Sequence, residues 1–133
     1  MRLAMKQLVF LPLFAIAALT GRANGSEAKE AVQAWQPTSE VVEVLEHAIA
    51  LPPRAKPLSS YARYYTGEVV EGRKLVRGYY LSESFSETFA ADKPGVYLRA
   101  SKALVADGGC AVITVYYDPA SKSFAAITCN GYA

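Results

Sequence analysis

The chain has 133 residues, 52% of them hydrophobic and 20% charged, with a formal net charge of +2 at pH 7. The residues from position 24 onward include 11 of the 14 basic residues and all 12 acidic ones, so this part carries a net charge of −1. Because a near-neutral domain lacks the positive field that non-specific nucleic-acid binding requires, we expect no nucleic-acid partner.

The first residues predict a cleaved signal peptide over 1–23. Arg2 and Lys6 give a positive start, Leu8–Leu19 is an apolar run, and small residues lead to a cleavage site after Ala23. The apolar run is shorter than the roughly 20 residues of a membrane-spanning helix. An uncleaved anchor is the alternative, whereas cleavage predicts that no stable membrane anchor remains.

Residues 24–133 are predicted to form a single small exported domain, secreted or periplasmic. No cysteine lies at the cleavage point, which argues against a lipid-anchored bacterial lipoprotein. Asn24-Gly25-Ser26 is a glycosylation sequon that a eukaryotic secreted protein could use. Cleavage after Gly25, the alternative site, would remove it.

Two helices are predicted at the start of this domain. Ser26–Trp35 has apolar residues at helical spacing and is followed by Pro37, which stops the helix. A second helix begins after Thr38 or Ser39 as the N-cap.

The second helix has an apolar stripe that we expect to face the core. Its charged residues Glu43, Glu46 and His47 are expected to face outward. The residues predicted to be buried are Val41, Val44, Leu45, Ala48 and Ile49.

A β-hairpin is predicted next, from strands Tyr61–Val69 and Lys74–Leu81 around a turn at Glu71-Gly72. A two-residue loop fixes which residues lie opposite one another. The resulting pairs include Tyr64 with Tyr79 and Tyr65 with Gly78. An aromatic ring can cover a glycine on the neighbouring strand, which favours the second pair.

The middle of the chain has a weaker pattern. Ser82–Asp92 fits either a single helical turn or a packed loop. Pro94-Gly95 suits the centre of a type II turn, and Val96–Arg99 suits a short strand. Ser101–Gly109 is then a connection.

A second hairpin is predicted at the end of the chain, with strands Cys110–Tyr117 and Lys122–Cys129 around a turn at 118–121. This register pairs Val115 with Phe124, Ile113 with Ala126, and Cys110 with Cys129. Because export favours oxidised cysteines, we predict a Cys110–Cys129 disulfide rather than a reactive thiol pair.

The predicted fold class is α+β, with one or two N-terminal helices packed on a four- or five-stranded antiparallel sheet and a C-terminal hairpin with a cross-strand disulfide. An all-β sandwich with a peripheral helix is the alternative.

The sequence contains few residues in patterns that are typical of catalytic sites. His47 is the one histidine in the sequence and follows Glu43 by four residues, a spacing typical of an exposed pair on a helix. No catalytic residue, metal ligand or cofactor is predicted, although a small extracytoplasmic hydrolase using His47 remains an alternative.

The tyrosine doublets suggest a binding surface, because each doublet places one ring on each face of its strand. One sheet face would pack against the helices, and the other would display tyrosines. The cross-strand pair Tyr64 and Tyr79 either forms a candidate binding face with Arg77 or lies in the core, since tyrosine is common in half-buried sheets. We therefore expect a non-catalytic binding or inhibitor module that contacts an unknown macromolecule, either protein or glycan. An envelope-associated structural protein is a further alternative, and the sequence leaves the oligomeric state open.

Overall fold

The computed structural model describes residues 35–88 and 92–131. Within them, two α-helices accompany a five-stranded sheet, so the fold is α+β, as predicted. The elements are α1 (Ser39–Ala48), β1 (Tyr61–Val70), β2 (Arg73–Ser82), α2 (Glu83–Thr88), β3 (Gly95–Tyr97), β4 (Gly109–Asp118) and β5 (Ser123–Asn130). The predicted signal peptide, Asn24 and the predicted helix Ser26–Trp35, apart from Trp35 itself, lie outside the described residues. None of the described helices is long and apolar enough to cross a membrane.

The strand order across the sheet is β3-β1-β2-β4-β5. All neighbours are antiparallel except β1 and β3, which pair in parallel from Ala62 opposite Gly95 to Tyr64 opposite Tyr97. The expectation of a purely antiparallel sheet is therefore wrong at this edge. The chain leaves β2 beside the start of β1, and α2 begins the crossover that a parallel pair requires.

The first hairpin has the predicted register, with Tyr64 opposite Tyr79 and Tyr65 opposite Gly78. The turn residues Glu71 and Gly72 both have positive φ, at 51° and 75°, as a type I′ turn requires. Glutamate is unusual in this conformation, yet the two-residue turn keeps the strands in the predicted alignment.

The predicted register of the C-terminal hairpin is wrong over most of its length. Val115 lies opposite Ile127, and Ile113 lies opposite Cys129. One cause is the turn, because Asp118 stays in β4 and its carboxylate accepts a hydrogen bond from the backbone N–H of Ala120 at 2.9 Å. The loop therefore spans 119–122, and a further register shift follows at the start of β5.

The Cys110–Cys129 disulfide is confirmed, with the two Cα atoms 4.5 Å apart. A second irregularity, between Gly109 and Ile113, compensates for the shifted pairing and returns Gly109 to a position opposite Asn130. The cysteines thus meet across an irregular part of the hairpin rather than in the uniform ladder expected from the turn.

Helix α1 begins as predicted, and its buried face agrees in part with the predicted one. The Thr38 side chain caps it by accepting from the backbone N–H of Val41 at 3.3 Å. Leu45 is fully buried, as expected, whereas Val44 is 46% exposed and Ala48 is exposed. Val41 and Ile49 are partly buried against the core, as predicted, and Val42, which was not in the predicted stripe, is buried.

Both faces of the sheet are covered. The core beneath α1 contains Val42, Leu45, Tyr61, Tyr65, Val76, Tyr80, Ile113, Val115 and Tyr117. The core on the opposite face contains Ala62, Tyr64, Tyr79, Leu81 and Val112, with Tyr97, Ala103 and Val105 packed against it. The doublets of the first hairpin therefore contribute one tyrosine to each core.

Candidate functional site

The proposed display of tyrosines does not occur. Tyr64 is 2% exposed and Tyr79 is 7% exposed, so the expectation that these rings form an exposed face is wrong. The structure does bring Tyr64, Tyr79 and Arg77 together, around a cavity of about 40 Å³. The cavity is small, and the two buried rings leave little surface for a macromolecule to contact.

The segment that follows α2 covers these rings. Tyr97 stacks on Tyr64 with the ring centroids 5.2 Å apart, and the Tyr64 hydroxyl donates to the Asp92 carboxylate at 2.9 Å. Arg99 lies over the Tyr97 ring at 5.0 Å and donates to the same carboxylate at 2.7 Å. The hydrogen bonds from Arg99 and Tyr64 lower the pKa of Asp92, which favours its charged form.

Arg77 remains partly accessible, with 35% of its side chain exposed. Its guanidinium lies 3.8 Å from the Glu68 carboxylate and 6.0 Å from the Tyr79 ring centroid. Its Nε atom is buried without a hydrogen-bond partner in the described part of the chain. Arg77 therefore packs beside the core that contains Tyr64 and Tyr79 rather than forming an exposed binding surface with them.

His47 is exposed on α1, as predicted. Its Nδ1 lies 2.8 Å from the backbone oxygen of Glu43, so the observed contact involves the main chain rather than the Glu43 carboxylate. Across residues 35–88 and 92–131 there is no cluster of three or more histidine, cysteine or acidic residues that could hold a metal ion.

Glu46 faces the sheet, in contrast to its predicted outward position. Its Oε1 accepts hydrogen bonds from Arg63 Nε and from the Tyr65 hydroxyl, both at 2.7 Å. The Tyr65 hydroxyl also lies 2.8 Å from that of Tyr80. Burial raises the pKa of both tyrosines, so they stay protonated. This network connects α1 to β1 and β2.

A larger concave surface lies at the end of the sheet where β5 stops. This groove has a volume of about 900 Å³. One wall is formed by Pro52, Pro53, Arg54 and Lys56, which follow α1. The opposite wall is formed by residues 108–111, Cys129 and Gly131, and therefore includes the disulfide.

The buried Tyr61 side chain connects the two walls. Its hydroxyl accepts from the backbone N–H of Lys56 at 3.0 Å and donates to the Cys110 carbonyl at 2.6 Å. Burial raises the pKa of Tyr61, which preserves the hydroxyl as a donor. This bridge joins the two segments that line the groove, and the disulfide joins β4 to β5 beside it.

The groove has a positive wall. Arg54 and Lys56 are exposed, and none of the described residues that line the groove is acidic. Sequence reasoning missed this site, because Pro52 and Pro53 indicated only the end of a helix and Gly108 only a connection. The two walls meet through the contact between Tyr61 and Cys110, which no local pattern reveals.

The strand beside the groove has a free edge. β5 has eight residues, contains no charged residue or proline, and in the described part of the chain pairs only with β4. The opposite edge is formed by β3, which has three residues and is preceded by Lys93 and Pro94. Short strands, lysine, proline and β-bulges are common protections against edge pairing. Lys122 directly precedes β5, and the pairing of β5 with β4 is irregular at two points, but the eight residues of the strand contain no lysine or proline.

The disulfide should stabilise the fold as well as the groove. Replacing both cysteines by alanine should lower the free energy of unfolding by about 3 kcal/mol, because the bond closes a loop with a sequence separation of 19. Urea unfolding of the oxidised protein and the double variant measures the loss. Free alkylation of both thiols in the native protein would contradict the assigned bond.

Comparisons with known proteins identify no relative, since no protein-family model, curated protein or solved structure matches the chain.

Proposed function

We propose that this chain is a small exported, non-catalytic binding module that takes up an extended segment of a protein partner along the free edge of β5. The observation that carries the proposal is the uncharged eight-residue edge of this strand. An edge strand has backbone donors and acceptors that another extended chain can pair with, as in recognition by strand addition.

Because both faces of the sheet are covered by other parts of the chain, the proposal places the contact with a partner at an edge of the sheet. Tyr64 and Tyr79 are buried on one side, and Tyr65 and Tyr80 on the other. A flat aromatic platform is therefore absent from the described hairpin, whereas the edge of β5 remains open within the described residues. Since strand addition requires a peptide backbone, the proposal favours a protein partner over a glycan.

The proposed location is outside the cytoplasm. The Cys110–Cys129 disulfide is consistent with an oxidising compartment. The proposed signal peptide over 1–23 would direct the chain there, and cleavage would release the binding module from the membrane. His47 is not among the described residues that line the groove, so the geometry supports binding better than hydrolysis.

Site-specific cross-linking tests the proposal. A photo-reactive residue is placed at Thr128, which is exposed on β5, or at Val96, which is 45% exposed on the opposite edge. We expect cross-links from Thr128 to one extended segment of another exported protein and none to that protein from Val96. Thr128→Lys should abolish the interaction by adding an edge charge, whereas Val96→Lys should preserve it.

Two results would contradict this function. Cross-links from Thr128 that map to a second copy of the chain, or to another part of the same chain, would assign the edge to self-pairing. Retention of the same partner by Thr128→Lys, with unchanged affinity, would place the binding surface elsewhere.

A further inference from the structure

Building on the proposed function, we infer that the groove at the end of β5 selects an acidic side chain in the bound polypeptide. Arg54 and Lys56 project from one wall, and neither forms an ion pair with a described residue. No described residue of the lining is acidic. The Asp107 carboxylate lies beside Gly131 but is not paired with either cation, so both cations can meet a carboxylate of the ligand.

The groove is continuous with the edge that would hold the ligand. Cys129 belongs to β5 and Gly131 follows its last residue, and both line the groove. An extended chain paired along β5 therefore reaches the groove at one of its ends. Backbone pairing would give affinity, while the groove would distinguish one side chain from another.

The walls of the groove are fixed before a ligand arrives. The Tyr61 hydroxyl bridges Lys56 and Cys110, and the disulfide joins β4 to β5. The backbone that carries Lys56 is therefore held in place before binding, so less conformational freedom of the main chain is lost when a ligand enters the groove.

The lining also suits a side chain better than a small hydrated anion. Pro52, Pro53 and the disulfide provide apolar surface beside the two cations. The methylene groups of a glutamate can pack on this surface while its carboxylate meets the charges. Because Arg54 and Lys56 are exposed, their attraction should weaken as salt rises.

A displayed library of random peptides about ten residues long, long enough to cover β5, provides the probe. The target is the protein recovered after export of the full chain. Peptides selected on it should be enriched in aspartate and glutamate about threefold over the library. The expected enrichment is modest because each exposed ion pair contributes little binding free energy. Peptides selected on Arg54→Glu/Lys56→Glu should instead be enriched in lysine and arginine.

A matched variant separates this site from overall charge. Lys74→Glu/Lys93→Glu makes the same change in net charge at exposed positions outside the groove. A selected acidic peptide should bind about tenfold more weakly to the groove variant and equally well to the matched one. Equal urea midpoints for the wild type and both variants show that the comparison is made on folded protein.

These experiments distinguish failure of the groove inference from failure of the proposed function. Selected peptides that lose binding on Thr128→Lys but show no acidic preference would overturn the groove inference and leave the proposed function intact. If no selected peptide is sensitive to Thr128→Lys, strand addition along β5 is contradicted, and the inference fails with it. Equal loss of binding in the groove variant and its matched control would reduce the effect to net charge and overturn the inference.

Discussion

Replacing Leu45 with alanine is expected to lower the free energy of unfolding by about 2–5 kcal/mol. Leu45 is fully buried in the core that α1 forms with the sheet. Its truncation removes apolar contacts and leaves a cavity that the surrounding tyrosine rings cannot readily fill. Urea unfolding of the oxidised protein gives the difference.

Val44→Ala is the matched control, because Val44 is the adjacent residue of the same helix and is 46% exposed. Its replacement should change the free energy of unfolding by no more than about 0.5 kcal/mol. Equal losses for the two variants would show that α1 does not pack through the Leu45 side.

Helix α1 shows which features of a helix the sequence predicts and which it does not. Thr38 and the following residues predict its start, since capping depends on neighbours in the chain. The sequence does not decide the buried face, because Val41, Val42 and Val44 are all apolar and their pattern fits more than one rotation of the helix. The position of the sheet, a tertiary property, decides in favour of Val42.

The two hairpins differ for a similar reason. The first contains a two-residue turn and an uninterrupted ladder, so local chemistry is enough to predict its register. In the second, Asp118 lengthens β4 and two irregularities interrupt the pairing. The cysteine pairing was correctly predicted although the register was wrong, because Gly109 and Asn130 regain the predicted alignment beside it.

The candidate site was the least predictable part. The alternation of side chains along a strand correctly places Tyr64 and Tyr65 on opposite faces of the sheet. It cannot show that the segment around Tyr97 covers the face that carries Tyr64. The parallel position of β3 likewise depends on a crossover after β2. The free edge of β5 becomes visible only when the strand order is known.

Glu46→Ala should lower the free energy of unfolding by about 3 kcal/mol, because it leaves a mostly buried guanidinium without its carboxylate. The Arg63 and Glu46 side chains are 11% and 18% exposed and 2.7 Å apart, so solvent replaces little of the lost interaction. The Tyr65 hydroxyl loses an acceptor at the same time.

Glu43→Ala removes an exposed carboxylate from the same helix and should cost no more than about 0.5 kcal/mol, since the His47 contact uses the Glu43 backbone. Glu46→Gln should fall between the two, because an amide oxygen can still accept from Arg63 and Tyr65 but carries no charge. Urea unfolding of the three variants at neutral pH separates these contributions. If Glu46→Ala were as stable as Glu43→Ala, the network would not hold α1 on the sheet, and the helix would depend on the apolar contacts of Val42 and Leu45 alone.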